Sequence, residues 1–273
     1  MLSRVLTVNG HAITIRESAG TGPAAVLVHG NSSSGLSFQH QLESALGQTH
    51  HLVALDLPGH GDSQRALDPQ AGYSLPGYAA IVVGMAEQLG LTDAVFVGWS
   101  LGGHILLEAS PRLPRAAGFA IFGTPPLAFP PDMAAAFLPH PAMGASFAAE
   151  LTDEQMDAYV TAFFKPGVAT LPETFRADIR RTDGQARAGL GGSIRPDGYL
   201  DEIVAVQGLK APLAVFQGEH EQLINLAYLQ ALDAPTLWRR AVQVVPDAGH
   251  APHWEQPQVF NTLLAAFISD CAH

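Results

Sequence analysis

The sequence predicts an α/β fold in which a mostly parallel eight-stranded sheet is flanked by helices and carries an inserted helical cap. Short apolar runs, typical of strands covered on both faces, alternate with helical stretches, which is the pattern of successive βαβ units. Asn9-Gly10 lies between two alternating segments and indicates a hairpin at the amino end. The alternation stops between about residues 127 and 208, so this segment is expected to form the cap.

Eight segments are predicted as strands. Two of them flank the hairpin turn and the other six are apolar runs: Val5–Val8, Ala12–Arg16, Ala24–Val28, His51–Leu55, Ala94–Val97, Ala117–Phe122, Leu213–Phe216 and Ala241–Val245. Three helices are expected beside the sheet: Tyr78–Leu89, Leu101–Ala109 and about Pro257–Asp270. The sheet domain is therefore expected to comprise residues 1–126 and 209–273.

The cap segment, residues 127–208, contains one clear amphipathic helix, Glu150–Phe164. Thr152 is its expected N-cap, and Gln155 completes a capping box three residues later. Tyr159 lies on the apolar face of this helix, where its ring is expected to be buried and its hydroxyl needs a partner. A backbone carbonyl of the core is one candidate for that partner.

Composition narrows the class of protein and its partners. The chain has 273 residues, 47% of them hydrophobic and 14% charged, with a formal net charge of −11. We expect no nucleic-acid partner and no stable membrane association, because basic clusters are absent and an acidic chain is repelled by anionic surfaces. We expect no signal peptide, because the first residues contain no apolar run, and no membrane span, because no stretch of about 18 apolar residues occurs. Cys271 is the only cysteine. A cytoplasmic location is expected, and the oligomeric state stays open between a monomer and a weak dimer.

A G-x-S-x-G motif, Gly98–Gly102, lies between a predicted strand and a predicted helix. A tight turn of this kind projects the serine hydroxyl into solvent, and glycines are needed because side chains there would clash with backbone. The helix N-terminus behind the serine favours developing negative charge. Ser100 is therefore predicted to be a nucleophile, and the alternative is a glycine-rich turn that only caps a helix.

The loop after Ala24–Val28 is predicted to complete an oxyanion hole. It begins with His29, Gly30 and Asn31. The backbone N–H of Asn31, together with that of Leu101, would hold a developing oxyanion beside the nucleophile. The alternative is an ordinary strand exit, and the Asn31 side chain could instead orient the loop or bind substrate.

His250 follows the last predicted strand, which is where the triad order Ser…Asp/Glu…His places the base. The acid is expected in the loop after Leu213–Phe216, where Glu221 stands three residues after Gly218. A glutamate can orient a histidine as an aspartate does. Glu219 is the alternative acid.

The remaining histidines are given minor roles. His253 is expected at the surface or rim, and His104 is expected to be packed or exposed rather than catalytic. His29, His60 and His220 lie on loops near strand ends and could line the entrance to the site. The sequence contains no clustered His/Asp set, so neither a metal nor another cofactor is predicted.

Together these segments resemble the α/β-hydrolase superfamily over the whole chain: His29–Gly35, Asp56–Ser63, Gly98–His104 and Asp247–Pro252. Asp56–Ser63 is expected to be a structural turn. More narrowly, the chain resembles the metal-independent N-acyl-homoserine lactone lactonases of bacteria, on these features: His29–Gly35, Gly98–Ile105, Gly123–Pro126, Arg181–Gly184, the cap Tyr159 and a glutamate acid at Glu221.

The resemblance implies an α/β-hydrolase fold and a serine lactonase that acts on quorum-sensing signals. Its substrate would be a small ester or lactone with an acyl chain. The expected substrate contacts are Tyr159, Trp99, His29, Gly30, Phe129, Met133 and Phe137. Apolar cap residues could instead pack the cap onto the core. The alternative activity is that of a carboxylesterase acting on simple or aryl esters with the same triad, and a further alternative is a ligand-binding protein with negligible turnover.

Overall fold

The computed structural model describes residues 1–196 and 198–272. Its strands are β1 Leu2–Val8, β2 His11–Glu17, β3 Gly22–Val28, β4 His50–Leu55, β5 Val95–Trp99, β6 Gly118–Phe122, β7 Leu213–Gly218 and β8 Gln243–Val245. They form one eight-stranded sheet in the order β1-β2-β4-β3-β5-β6-β7-β8. β1 pairs antiparallel with β2 and β2 with β4, while the other neighbours are parallel. The predicted mostly parallel eight-stranded sheet is confirmed.

The described helices connect these strands and cover both faces of the sheet. They are α1 Gln39–Leu42, α2 Ala45–Thr49, α3 Pro69–Gly72, α4 Leu75–Leu89, α5 Leu101–Ala109, α6 Met133–Ala136, α7 Asp153–Ala162, α8 Glu173–Arg181, α9 Gly184–Ser193, α10 Glu202–Gly208, α11 Leu226–Gln230, α12 Pro252–Glu255 and α13 Pro257–Cys271. Four short 3₁₀ turns accompany them: Gly35–Phe38, Ser110–Arg112, Pro141–Phe147 and Trp238–Arg240. None of the helices within the described residues is long and apolar enough to cross a bilayer.

The central strands are apolar throughout because both of their faces are covered. Successive side chains of a strand point to opposite faces. Val26 and Phe96 join a cluster with residues of α4 and α5, whereas Leu27 and Val97 join a second cluster with residues of α13. All of β5 and β6 is buried. This explains why short apolar runs without alternation predicted these strands correctly.

Residues 127–208 contribute helices α6 to α10 and no strand of the sheet within the part that is described. The predicted capping box of α7 is present, with Thr152 and Gln155 bonded to each other's backbone N–H groups. The helix is shorter than the predicted Glu150–Phe164, because Thr152 is the N-cap and the residues before it are not helical.

The turn after β4 anchors the loop that will carry Asn31. Asp56 is fully buried and accepts hydrogen bonds from Arg16 at 2.6 Å, from the Gly35 N–H at 2.7 Å and from the Asp62 N–H at 2.8 Å. A buried carboxylate needs such partners, because leaving one unpaired is costly. The geometry is that of a structural turn, as expected for Asp56–Ser63.

Candidate active site

Ser100 stands at a strained turn between β5 and α5. Its backbone has φ 52° and ψ −117°, a region that residues other than glycine rarely occupy. The Ser100 N–H donates to the carbonyl of Phe122 at 2.8 Å, and its own carbonyl accepts from Thr124 Oγ1 at 2.8 Å. Strain persists only where the surroundings hold it, and here both backbone groups of Ser100 are bonded to the end of β6. The side chain is thereby set in the wall of a pocket.

Close backbone approach explains the two glycines that flank this turn. A Cβ on Gly98 would lie 2.5 Å from the carbonyl carbon of Gly102, and a Cβ on Gly102 would lie 2.1 Å from the carbonyl oxygen of Val28. Neither distance is compatible with a side chain. The sequence motif is therefore a packing requirement of the strand–turn–helix junction.

His250 is bonded to Glu221 at the bottom of the same pocket. Its Nδ1 lies 2.8 Å from Glu221 Oε2, and the two side chains are 2% and 3% exposed. The other oxygen of Glu221 accepts the N–H of Leu223 at 2.8 Å, which fixes the carboxylate. Glu219, the alternative acid, is half exposed and accepts the N–H of Asp247 instead. Glu221 is thus the carboxylate in contact with His250.

The loop that carries His250 is held in place by β5, the strand that leads to Ser100. Trp99 Nε1 donates to the His250 carbonyl at 2.8 Å, and Phe163 of the cap stacks on the imidazole with ring centroids 6.0 Å apart. Within the described residues the Ser100 hydroxyl has no hydrogen bond to the imidazole, although both groups line one pocket. Such catalytic contacts often tighten only when substrate binds.

The two predicted oxyanion residues, Asn31 and Leu101, both line the pocket beside Ser100. Leu101 is the first residue of α5, so its N–H has no acceptor within the helix and is available to a ligand. The Asn31 side chain donates to the carbonyl of Ser146 in the cap at 2.7 Å and accepts from Ser32 Oγ at 3.2 Å. The side chain therefore orients the loop, which was one of the alternatives weighed from the sequence.

Tyr159 of α7 projects into the pocket although it is only 3% exposed. Its hydroxyl accepts from Ser146 Oγ at 3.1 Å, so its partner is a cap hydroxyl and not a backbone carbonyl of the core. Burial raises the pKa of Tyr159 to about 12, so the hydroxyl is protonated over an even wider pH range than that of a free tyrosine. Since the tyrosine oxygen accepts from Ser146, its own proton remains available to a ligand.

Apolar side chains of the cap make up most of the remaining pocket wall. Met133 and Phe137, both predicted substrate contacts, are among them. The pocket and its mouth hold about 810 Å³ of empty space, part of it open to solvent. Other apolar lining residues include Leu127, Met143, Leu190, Ile194, Leu223 and Ile224.

Four predicted substrate contacts lie outside the pocket wall. Trp99 is fully buried beneath His250. His29 is also fully buried, and its Nε2 accepts the N–H of Leu57. Burial lowers the pKa of His29 to about 4. Gly30 packs against Trp99 and the Ser100 Cβ, and Phe129 is 38% exposed on the outside of the cap. We assign none of these four a contact with substrate.

One histidine expectation is wrong. His253 is not a rim residue: it is fully buried among Phe38, Trp99 and Phe122, and burial lowers its pKa well below the usual value. It turns inward because α12 packs against the core at this point. His104, expected to be packed or exposed, lines the pocket and is bonded to Glu202.

Sequence reasoning missed Ser146, Tyr199 and Glu202 as pocket residues. His104 could have been found, because it stands four residues after the nucleophile and residues at that spacing share a helix face. Glu202 and Tyr199 come from the end of the cap, about 100 residues away in sequence, and no local pattern brings them to the site. No group of three or more His, Cys, Asp or Glu side chains suited to a metal ion occurs within the described residues.

Curated relatives include ester hydrolases. The chain is 31% identical over 267 residues to the pimeloyl-[acyl-carrier protein] methyl ester esterase of Stenotrophomonas maltophilia, which covers 93% of this chain and 95% of that protein. It is 27% identical over 252 residues to the biotin biosynthesis bifunctional protein BioHC of Teredinibacter turnerae, where the match covers 85% of this chain but only 41% of the relative.

Among solved structures, the N-acyl homoserine lactonase AidH is similar over almost its full length. Its S-to-G mutant complexed with N-hexanoyl homoserine lactone superposes with a TM-score of 0.94 at 34% identity, covering 99% of this chain and 98% of that one. The family model described as "Alpha/beta hydrolase family" matches residues 25–263 of this chain. The expected fold is confirmed, and the chain belongs to the α/β hydrolase family.

Proposed function

We propose that this protein is a serine hydrolase that opens the lactone ring of N-acyl-homoserine lactones through an acyl-enzyme. One observation carries the proposal. The pocket combines the serine, the histidine–glutamate pair and a buried tyrosine hydroxyl with a long apolar wall. The likeness to AidH supports it, because that lactonase has been solved with N-hexanoyl homoserine lactone and with N-butanoyl homoserine.

The reaction begins with proton transfer from Ser100 to His250 as the hydroxyl oxygen attacks the lactone carbonyl. Glu221 accepts the Nδ1–H of His250, which sets the tautomer and stabilises the ring when it becomes charged. The negative charge that develops on the carbonyl oxygen is held by the N–H groups of Asn31 and Leu101.

Ring opening creates an alkoxide, and Tyr159 is placed to stabilise it. Its hydroxyl is protonated at neutral pH, as a tyrosine hydroxyl ordinarily is, and it is held by Ser146. A donor that meets this charge acts mainly in the transition state, so it raises the rate of ring opening more than it strengthens substrate binding. His250 then gives its proton to the leaving oxygen.

Water attacks the acyl-enzyme in the second half of the reaction, with His250 again acting as the base. The leaving hydroxyl of a lactone stays attached to the acyl group, so ring closure competes with hydrolysis. Intramolecular reactions of this kind reach effective molarities on the order of 10⁵ M or more. Retaining the released hydroxyl on Tyr159 would keep it away from the acyl carbonyl and favour hydrolysis.

The second candidate function is that of a carboxylesterase acting on simple or aryl esters with the same triad. The pimeloyl-[acyl-carrier protein] methyl ester esterases support it, since they are similar over nearly the whole chain. The buried tyrosine favours the lactonase over an aryl esterase, because an aryl ester has a good leaving group and needs no donor at its leaving oxygen. A methyl ester releases a basic alkoxide, as a lactone does, so the tyrosine does not distinguish these two substrates.

A panel of substrates separates the two functions. We would measure kcat/KM on N-acyl-homoserine lactones with acyl chains of different length, on methyl esters of the same acids, and on aryl esters. The lactonase proposal predicts the highest kcat/KM on a lactone. A methyl ester turned over faster than every lactone would contradict it.

The Ser100→Ala variant is the control for this panel. It should retain its fold and lose turnover of all substrates by several orders of magnitude, because no other group supplies the attacking oxygen. Residual lactone hydrolysis within about tenfold of wild type would contradict the serine mechanism.

A further inference from the structure

A buried carboxylate lies in the wall of the apolar pocket, close to the helix that begins at the nucleophile. Glu202, the first residue of α10, is 1% exposed, and both of its carboxylate oxygens lie 2.9 Å from Nδ1 of His104. Both residues line the pocket that contains Ser100. Because removing a carboxylate from water is costly, its position in an apolar wall requires an explanation.

Part of the explanation is structural. The Leu127 N–H donates to Glu202 Oε2 at 2.7 Å, and the Leu127 carbonyl accepts the Glu202 N–H at 2.9 Å. These bonds join the two ends of the inserted cap segment. They use the backbone and one side-chain oxygen of residue 202, so a glutamine would serve equally well. They do not explain why an imidazole faces the carboxylate.

His104 has one ring nitrogen left after this contact. Nδ1 is bonded to Glu202, and Nε2 has no hydrogen-bond partner among the described residues, while the side chain keeps 15% exposure. The carboxylate fixes the orientation and tautomer of the ring, as carboxylates do when they bond to the far nitrogen of a metal-binding histidine. Nε2 accepts a hydrogen bond when the ring is neutral and donates one when it is charged.

The spacing between His104 and the nucleophile indicates which part of a substrate would meet this nitrogen. Residues four apart share a helix face, and their separation along the axis is about 6 Å. In an N-acyl-homoserine lactone, the third acyl carbon is five bonds from the scissile carbonyl carbon. One of these steps crosses a trans amide of about 3.8 Å, so the reach is also about 6 Å.

We infer that His104, held by Glu202, is a specificity residue that binds an oxygen substituent on the third carbon of the acyl chain. The inference rests on the proposed function and deepens it, because it names the subclass of lactone. Substrates with a hydroxyl or an oxo group at this carbon are hydrolysed with higher kcat/KM than the plain acyl chain of equal length. A site built to hydrogen-bond an oxygen discriminates against the analogue that lacks it, since its own polar groups are then left without a partner.

The experiment measures kcat/KM for three lactones of equal acyl length: unsubstituted, 3-hydroxy and 3-oxo. In the wild type we expect at least one oxygenated substrate to exceed the plain one by about tenfold, the effect of one hydrogen bond in a desolvated site. His104→Phe keeps a flat ring but removes Nε2, and should bring this ratio to about one. A loss on the 3-hydroxy substrate alone indicates a neutral ring, because its Nε2 only accepts a hydrogen bond. A loss that includes the 3-oxo substrate indicates a charged ring, because a ketone oxygen needs a donor. Both results support the inference.

Two further variants guard against misfolding and against a general change of pocket shape. His104→Phe combined with Glu202→Gln leaves no carboxylate without its partner and keeps an oxygen for the Leu127 N–H. Met143→Leu alters the same wall without changing its polarity, and should change all three substrates by a common factor.

The outcomes separate the inference from the function on which it rests. The inference alone would be overturned if lactones are hydrolysed but neither His104 variant changes the ratio of kcat/KM on oxygenated and unsubstituted lactones. A wild type that prefers the unsubstituted lactone would overturn it as well. A wild type that hydrolyses no lactone would overturn the proposed function and the inference with it.

Discussion

The loops of the sheet and the helices of the cap contribute different kinds of group to one pocket. Ser100 and Leu101 come from the turn after β5, and Glu221 and His250 from the loops after β7 and β8. The cap supplies Tyr159 and most of the apolar wall. In the proposed mechanism, the reacting groups thus lie at the carboxyl ends of parallel strands, while the groups that select and orient a substrate lie on helices packed over them.

The two regions are held in place by different forces. The elbow serine is fixed by backbone hydrogen bonds to β6 and by glycines that admit close approach. The cap side chains are fixed by packing and by a few long-range polar contacts, such as that of Asn31 with Ser146. Substitutions in the loops should therefore change the reaction on every substrate, and substitutions in the cap should change the preference among substrates.

The largest predicted effect is a loss of kcat that distinguishes the two carboxylates of one loop, Glu221 and Glu219. Glu221→Gln should lower kcat by about 10³- to 10⁴-fold on lactones and esters alike, because an amide does not hold the required tautomer of His250 or stabilise its charge. Glu219→Gln, the matched control, should stay within about threefold of wild type, since Glu219 is half exposed and contacts the Asp247 backbone. Steady-state kinetics on both substrates test this, and a crippled Glu219→Gln enzyme would reverse the assignment.

This contrast also explains what the sequence could predict. The strands, the G-x-S-x-G turn and the order serine, acid, base are local patterns, because a buried strand followed by a glycine turn leaves few backbone arrangements. Glu221 and His250 were therefore predicted from their position after strands, and the two side chains are in contact. His253, three residues beyond His250, was misplaced because its burial depends on the packing of α12 against Phe38 and Phe122, which are remote in sequence.

The cap shows the opposite behaviour. Its helix α7 could be predicted from a capping box and an apolar face, yet the side chains that reach the pocket depend on how that helix packs. Tyr159 was predicted from the family resemblance, whereas its partner Ser146 was not. Phe129 has the same apolar character as Phe137 but lies outside the pocket. Hydrophobicity alone cannot separate a wall residue from one that covers the exterior.

An intermediate effect is expected at Tyr159, where the cap acts on one step of the reaction. Tyr159→Phe removes one oxygen and little volume, so the contact between its ring and Phe163 at 4.8 Å should persist. We expect kcat on the lactone to fall about ten- to a thousandfold, the range for losing one donor at a developing charge. An aryl ester should change far less, because its leaving group needs no such donor.

Two measurements decide what Tyr159 contributes. Equal losses of kcat on the lactone and the aryl ester would mean that the tyrosine only holds the cap in place through Ser146. A Ser146→Ala variant serves as a partial control, since it removes the bond to the tyrosine hydroxyl and leaves the donor itself. We expect its lactone kcat to lie between those of the wild type and Tyr159→Phe.

The smallest effect compares two phenylalanines of the cap segment, and it concerns substrate binding alone. Phe137 lines the pocket, whereas Phe129 is 38% exposed and contacts Tyr199 from outside, with ring centroids 5.7 Å apart. Phe137→Ala removes apolar surface that a long acyl chain covers, and each methylene that loses such contact is worth about 0.8 kcal/mol. We expect KM for a ten-carbon acyl lactone to rise about tenfold with kcat nearly unchanged, because the lost contact is with the acyl chain and not with the reacting atoms. A four-carbon acyl lactone, too short to use this wall fully, should show a change in KM of less than about threefold.

Phe129→Ala is the control variant. It should leave KM for both lactones within about twofold of wild type, because exposed side chains contribute little. Its neighbour Tyr199 is also held by a hydrogen bond to the Ala128 carbonyl. If the two alanine variants had equal effects on the long-chain lactone, the acyl chain would not lie along the wall that contains Phe137.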